Sequence, residues 1–460
     1  MIFQKNPWFY ELDNFKNKIK FLPHFILSGY LISINDLVLE VVGLHHEIGS
    51  ICYIECFKNF KRFLVTCEII GFQEKKTFLI AFDCTYNFFP KARVFIKNNS
   101  QSFFENKQIF PFGNGLLGRV LDSTGIPIDT LGSFKGEVVY NTVYHKQINP
   151  LKRQPINKIF DTGIRAINSL LTIGRGQRIG IFARPGVGKS LLLGMITRHS
   201  SVDIIIIALI GERNREVLDF VRQVLDVTSL KKSIIIVSSA DSPPILRVKA
   251  ASYATSLAEF FRSLNKNVLL ICDSLTRYAI AYREISLSLG SFPISRGYPA
   301  SIFSKIPELI ERTGNSENKL GTITSFYTIL TEGDMDNDPI LDISKSILDG
   351  HIFLSDKLAN SGHYPAIDIE TSISRLMSSI ISPEHLKNSI FLKKLISCYN
   401  TNKDLVTLGA YTNGQNLLLD QAIKIWPFLE KFLQQDFLLN YSYRTSIIQL
   451  EKLLNKLKIR

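Results

Sequence analysis

The sequence predicts an α/β protein in three parts: an N-terminal β-barrel, a central domain with a parallel sheet and a phosphate-binding loop, and a C-terminal helical domain. Three observations carry this. Short alternating apolar runs, punctuated by Gly43, Gly49 and Gly71, fill residues 26–98. Near-continuous β-branched runs alternate with helical stretches over 151–380, the pattern of strands buried on both faces. Near the C-terminus Leu450, Leu453, Leu454 and Leu457 recur at i, i+3, i+4 and i+7, one face of a helix.

Taken in order, residues 1–25 mix Trp8, Phe9, Tyr10 and Phe15 with Lys16, Lys18 and Lys20. They read either as an amphipathic docking helix or as a helix packed on its own protein. The barrel runs include Leu31 to Ile34, Leu37 to Val42 and Phe78 to Phe82. Residues 99–150, with Gly113, Gly115, Gly118, Gly125 and Pro127, read as a linker region joining the next domain. Within 151–380 the predicted strands are Arg178 to Phe182, Ile204 to Ile210, Ser233 to Val237 and Val268 to Cys272. Residues 381–460 read as helical.

Composition narrows the function. The chain has 460 residues and 54 Lys+Arg against 41 Asp+Glu, a formal charge of +13. That excess leaves nucleic acid, an anionic membrane surface or phosphate chemistry open. Six cysteines form no C-x-x-C pair and no zinc-finger spacing, so they read as free thiols in a reducing cytoplasm. The N-terminus lacks a signal-peptide core, and no apolar run approaches the roughly 20 residues of a membrane helix. The expectation is a cytoplasmic or peripheral protein.

The strongest motif is Ala183-Arg184-Pro185-Gly186-Val187-Gly188-Lys189-Ser190, between a predicted strand and the helical run Leu191 to Ile196. This is a P-loop pattern with Ala183 where glycine is usual. Its glycines let backbone N–H groups turn around phosphate oxygens, and the helix N-terminus adds its dipole. Lys189 is expected on the β- and γ-phosphates and Ser190 on Mg²⁺. Asp273 ends the apolar strand Leu269 to Cys272, as a magnesium-organising aspartate does. Arg277, one helical turn on, is either a γ-phosphate ligand or half of a helix salt bridge. Glu212 lies just past another strand end, where a carboxylate can polarise an attacking water. Glu216, a turn further, reads as a surface charge paired with a neighbouring arginine. Other signals are discounted. Asp334, Asp336 and Asp338 imitate a calcium loop that has Pro339 and Lys345 at positions needing Gly and Glu. His45-His46-Glu47 lacks zinc-protease spacing, and no G-x-S-x-G elbow is present.

Gly174-Arg175-Gly176-Gln177-Arg178, the P-loop, Gly211-Glu212-Arg213, Asp273 to Tyr278 and His363 to Asp368 resemble the rotary-type ATPases. Among these the chain is most similar to the type III protein-export ATPases, in particular the flagellum-specific ones, through Asn149 to Arg153, Gly186 to Ser190, and Ile367 to Glu370 before Ser372 to Arg375. The resemblance runs from about residue 30 to 435. It implies a RecA-like ATPase domain with ATP and Mg²⁺ as cofactors. It also implies a homo-oligomeric, usually hexameric ring with ATP at subunit interfaces. Implied partners are export-gate membrane proteins, a central stalk protein, a peripheral regulator and chaperone–substrate complexes, at the cytoplasmic face of the inner membrane. By resemblance Glu212 is the catalytic carboxylate, Lys189 the phosphate lysine, and Ser190 with Asp273 the magnesium shell. Arg375 is a finger offered to the neighbouring subunit, Tyr364 the aromatic on adenine, and Arg213 and Arg277 further catalytic candidates. Arg184-Pro185 departs from the small residues usual there, which bears on turnover rate. Close alternatives are a virulence-type secretion ATPase or a proton-coupled ATP synthase catalytic subunit. A Rho-like RNA helicase is remote, because no run of the form K/R-G-F/Y-G/A-F appears.

The charge is uneven. Residues 151–200 hold nine Lys/Arg and one acid, while 301–350 carry a net −5. Arg165, Arg175, Arg178, Arg184 and Lys189 cluster on the approach to the phosphate loop. This favours nucleotide phosphate and ring assembly, with no nucleic acid; some of these arginines are expected on backbone or interface contacts.

Overall fold

The computed structural model describes residues 8, 11–12, 14–16, 28–58, 61–83, 88–96, 107–143, 148–317, 320–331, 338–412 and 414–458. The expected N-terminal docking helix falls largely outside them, as do Cys84, Asp334 and Asp336. The chain divides into two compact units: 1–109 with 243–245 and 284–291, and 110–242 with 246–283 and 292–460.

The first unit holds a closed barrel of β1 (Ser28–Asn35), β2 (Val38–Val42), β3 (Ile51–Lys58), β4 (Lys61–Gln73), β5 (Lys76–Ala81) and β6 (Arg93–Phe95), in the order β1-β2-β5-β4-β3-β6. Alternation drives it: Cys52, Ile54 and Cys56 of β3 point inward against Val65, Cys67 and Ile69 of β4. Closure pairs β6 with both β1 and β3, so no edge of this sheet is left open.

The second unit is built on a nine-stranded sheet. Its strands are β7 (Val120–Asp122), β8 (Arg178–Ala183), β9 (Ile204–Glu212), β10 (Ser233–Ser239), β11 (Asn267–Asp273), β12 (Thr322–Leu330), β13 (Gly350–Leu354) and β14 (Ile367–Ser374), with Gly314–Asn315 as a short addition. Their order is β14-β13-β8-β12-β11-β9-β10-β7. All named neighbours are parallel except β14, an antiparallel edge strand. The four strands expected from β-branched runs are present. The stretch expected as a linker supplies β7, which pairs parallel with Ile235 to Val237. Three residues with one buried side chain leave too short a pattern to announce that strand.

Helices cover both faces. Ile205, Ile207 and Leu209 of β9 face one core, and Ile204, Ile206, Ala208 and Ile210 the other. The first core receives α1 (Arg165–Leu170) and α2 (Lys189–His199); the second receives α4 (Pro244–Ser263) and α5 (Leu275–Ser288), through residues such as Leu257 and Leu275. The C-terminal helices α7 (Pro383–Thr407), α8 (Leu417–Leu433) and α9 (Tyr443–Lys458) share the first core, through Leu392, Ile425 and Leu450. They have no separate centre, because their apolar stripes face the sheet layer. Arg165 fixes α8 by donating to the carbonyls of Lys431, Phe432 and Gln434 and to Gln449 Oε1.

Candidate active site

The carboxyl ends of parallel strands form the edge at which ligands of such sheets bind. Here β8, β11 and β9 bring Ala183, Asp273 and Glu212 to that edge within four adjacent strands. The loop from Arg184 to Gly188 leads into α2, whose first two residues are Lys189 and Ser190. Gly188 is the helix N-cap at φ 96, a backbone state that an L side chain rarely adopts. Backbone N–H groups of the first helical turn have no helical acceptor, so they are free for an anion.

Lys189 is clamped. Its Nζ donates to Asp273 Oδ1 at 2.5 Å and to Glu212 Oε1 at 3.1 Å. Burial opposes the lysine's charge, but Asp273 and Glu212 outweigh it and raise its pKa. Asp273 is 3% exposed and also accepts from Thr328 Oγ1 at 2.7 Å. Burial pushes its carboxyl above the usual range, with Lys189 opposing. Glu212 is raised as well, first by burial and then by the nearby Glu216 carboxyl. Glu216 is exposed, the surface charge expected of it, but among the described residues no arginine forms an ion pair with it. The neighbouring Arg215 faces Asp219 at 3.7 Å within α3 (Asn214–Asp219).

Arg277 lies beside this cluster. A Cβ on Gly211 would approach its Cβ and Cγ to 2.9 Å, so the arginine stem covers the Gly211 backbone next to Glu212. No described carboxylate forms an ion pair with it, which removes the salt-bridge alternative among the described residues. Arg213 is exposed as the N-cap of α3. Tyr364 packs its ring against the P-loop: a Cβ on Gly188 would sit 3.1 Å from its Cε1. Its backbone oxygen accepts from Gln435 N at 3.0 Å, and it is 36% exposed. Arg184 points away from the loop to Asp356 Oδ2 at 2.9 Å. Pro185 and Gly186 are exposed, and Val187 is buried in the core beside the loop.

Arg375 is not in this cluster. Ser374 pairs with Gly350, and Gly350 with Ile179 at the foot of β8. Arg375 therefore stands at the amino edge of the sheet. Its guanidinium donates to Lys345 O at 2.7 Å, at the end of α6 (Pro339–Ile347). Sequence reasoning missed Thr328, Asp356 and the Glu212–Glu216 pair. Thr328 and Asp356 sit 55 and 172 residues from their partners, so no local spacing could signal them.

The donors suit Mg²⁺. Ser190 Oγ is exposed at the helix start and the Asp273 carboxylate ends a neighbouring strand. Both are hard oxygens, and no group of three His/Cys/Asp/Glu able to hold a metal occurs among the described residues. A site with one or two protein oxygens, completed by phosphate and water, is the usual magnesium arrangement.

Comparison with known proteins adds the following. Residues 163–374 match the ATP synthase alpha/beta family nucleotide-binding domain, and 381–452 match the C-terminal domain of the type III secretion ATPase EscN. A flagellum-specific ATP synthase of Buchnera aphidicola subsp. Acyrthosiphon pisum is 54% identical over 96% of this chain and 94% of its own. The structure of assembled EscN from enteropathogenic E. coli superimposes with a TM-score of 0.85 at 39% identity, covering 93% of this chain and all of that one. EscN in complex with its central stalk EscO gives 0.82 at 38% identity, with the same coverage of both chains.

Proposed function

The chain belongs to the ATP synthase alpha/beta family, and on that premise we propose that it hydrolyses ATP to drive flagellum-specific type III protein export. The observation that carries the chemistry is Lys189 held between Glu212 and Asp273 at the mouth of the P-loop, with the Tyr364 ring against the same loop. The export assignment rests on the 54% identity to a flagellum-specific relative, against 39% and 45% to two ATPases of pathogens' type III secretion systems. The match of residues 381–452 to a secretion-ATPase domain disfavours a proton-coupled synthase subunit.

ATP enters with its phosphates on the backbone N–H groups of Gly186 to Ser190 and its adenine beside Tyr364. Lys189 then moves from the carboxylates to the β- and γ-phosphate oxygens. Glu212, released from the lysine, orients the attacking water and takes its proton, and attack is in line with the bond to ADP. Glu216 is placed to share that proton. Ser190 and Asp273 would hold Mg²⁺, which when bound neutralises charge on the β- and γ-oxygens. Arg277, anchored over Gly211, adds positive charge beside Glu212.

Arg375 cannot serve its own site. β8 has 6 residues and spans roughly 20 Å at 3.3 Å per residue, so the finger and the P-loop of one chain stand at opposite ends of it. In a ring of six copies it would reach the neighbour's γ-phosphate and add about 10³–10⁵ in rate. EscN is seen assembled and with a central stalk, and a ring with a stalk partner is the corresponding reading here. Export-gate proteins, a peripheral regulator and chaperone–substrate complexes complete it. No helix among the described residues is long and apolar enough to cross a membrane, which suits a peripheral role at the cytoplasmic face.

The test is genetic and enzymatic. The gene should restore secretion of flagellar proteins to a bacterium lacking its own flagellar export ATPase, and the Glu212→Gln allele should not. Restoration of virulence-type secretion alone, or strong stimulation of ATPase by single-stranded RNA, would overturn the reading.

A further inference from the structure

The residue before the P-loop strand is tied to the residue before Arg375. Gln177 is fully buried, and its side-chain amide is used on both sides. Oε1 accepts from Gly174 N at 2.8 Å. Nε2 donates to Asp349 O and to Ser374 Oγ, each at 3.1 Å. The Asp349 carbonyl also accepts the backbone N–H of Arg375 at 3.0 Å. Ser374 Oγ in turn donates to Thr172 O at 2.7 Å. One side chain thus holds the serine preceding Arg375 and the carbonyl to which the Arg375 backbone is bonded. The next residue, Arg178, donates its N–H to Asp349 Oδ2 at 3.0 Å and begins β8, whose other end is the P-loop.

We infer that Gln177 is a positioning residue for Arg375, holding the finger in register with the foot of the P-loop strand. This rests on the reading of Arg375 as a finger acting on a neighbouring subunit. The physical case is specific to the amide. A buried carbonyl and hydroxyl would each lose a donor if Nε2 were removed, and the backbone from Gly350 to Arg375 would be free to shift. A displacement of about 1 Å at a group acting on the transition state costs on the order of 10² in rate. Nucleotide binding in the same chain lies at the other end of the strand and is untouched by that shift. Gln177 therefore acts on turnover at the neighbour's site, and hardly on its own subunit's affinity for ATP.

The test uses mixed assemblies of the full-length chain. Gln177→Leu alone is expected to lower kcat about 10²-fold, with KM and binding of a fluorescent ATP analogue unchanged. Ser374→Ala, a gentler change, is expected to lower kcat by roughly tenfold. Each is then mixed with Lys189→Ala, which has a dead P-loop and an intact finger. At interfaces where a Gln177→Leu P-loop meets a Lys189→Ala finger, hydrolysis should return to about tenfold or more above the sum of the separate rates. A purely structural defect, or an effect of Gln177 on its own P-loop, gives no return and overturns the inference. Arg375→Ala mixed with Lys189→Ala is the control. If that pair fails, the finger reading itself is wrong; if it succeeds while the Gln177→Leu pair fails, only the role of Gln177 is wrong. Wild-type kcat in both Gln177→Leu and Ser374→Ala also overturns it.

Discussion

Replacing Glu212 by Gln should uncouple binding from hydrolysis, and the direction of each effect follows from the clamp on Lys189. In this clamp one ammonium faces two carboxylates, so the charge of Glu212 stands against a polyphosphate approaching Lys189. A unit charge about 4 Å from a phosphate oxygen contributes ~4 kcal/mol of repulsion at an effective dielectric of ~20. Counter-ions and relaxation screen most of it. A residual of about 1.4 kcal/mol corresponds to roughly tenfold tighter ATP binding when the charge is removed. Lys189 keeps Asp273, so the fold keeps its buried pair. The amide cannot take a proton from water, and loss of a general base costs about 10²–10⁴ in kcat. Equilibrium binding of a fluorescent ATP analogue and phosphate release in the assembled protein measure the two effects. Near-normal turnover would show that another group is the base. Weaker binding would show that Glu212 does not compete for Lys189.

Burial and Glu216 both raise the pKa of Glu212, and a base must be ionised, so the acid limb of kcat should lie above the usual glutamate range. Glu216→Gln removes one cause, so that limb should move to lower pH; a limb that stays, or moves up, refutes the pairing. The same raised carboxyl destabilises the fold once ionised, so its share of stability is lost as pH rises from the unfolded value through the folded one. Arg165→Ala takes the donor from three carbonyls at the end of α8, of which that of Phe432 is buried, and should cost about 1–3 kcal/mol in denaturant unfolding, with no change in ATP affinity. Burial pushes Cys52 up to about 12 and Cys56 up to about 11, so thiol reagents should modify half-exposed Cys398 well before either. Rapid labelling of the barrel thiols would mean that the barrel opens.

How much of this was legible depended on whether the signal was local. The strands Ile204–Glu212 and Asn267–Asp273 announce themselves because each is buried on both faces and so runs apolar without a break. β12 sits at the centre of the same sheet, yet Thr322, Thr324, Ser325 and Thr328 interrupt its run. Those hydroxyls are affordable only because they meet partners from distant segments: Thr324 accepts from Gly176 N, and Thr328 donates to Asp273. The P-loop, Asp273 and Glu212 were legible for the first reason. The Lys189 clamp, the Glu212–Glu216 contact and the Tyr364 ring on Gly188 were not, because tertiary pairing creates them.

The positive charge on the approach to the P-loop has a use other than binding phosphate. Arg165 caps a helix, Arg175 donates to Ile159 O, Arg178 pairs with Glu311, and Arg184 pairs with Asp356. Of the five basic residues clustered there, only Lys189 faces the phosphate site, and it is already outnumbered by carboxylates. Attraction to ATP at this site therefore comes from Lys189 once it leaves the carboxylates, from Arg277 beside Glu212, and from the free N–H groups of the loop and the N-terminus of α2. The arginines hold the strand foot, the loop arm and the C-terminal helices in place around it. Neutralising Arg184 by Ala should then leave ATP affinity within about fivefold, since an exposed pair contributes at most ~1 kcal/mol. A loss of affinity near a hundredfold would show that this side chain turns to the phosphates when ATP binds, and that the departure from small residues at Arg184 serves binding.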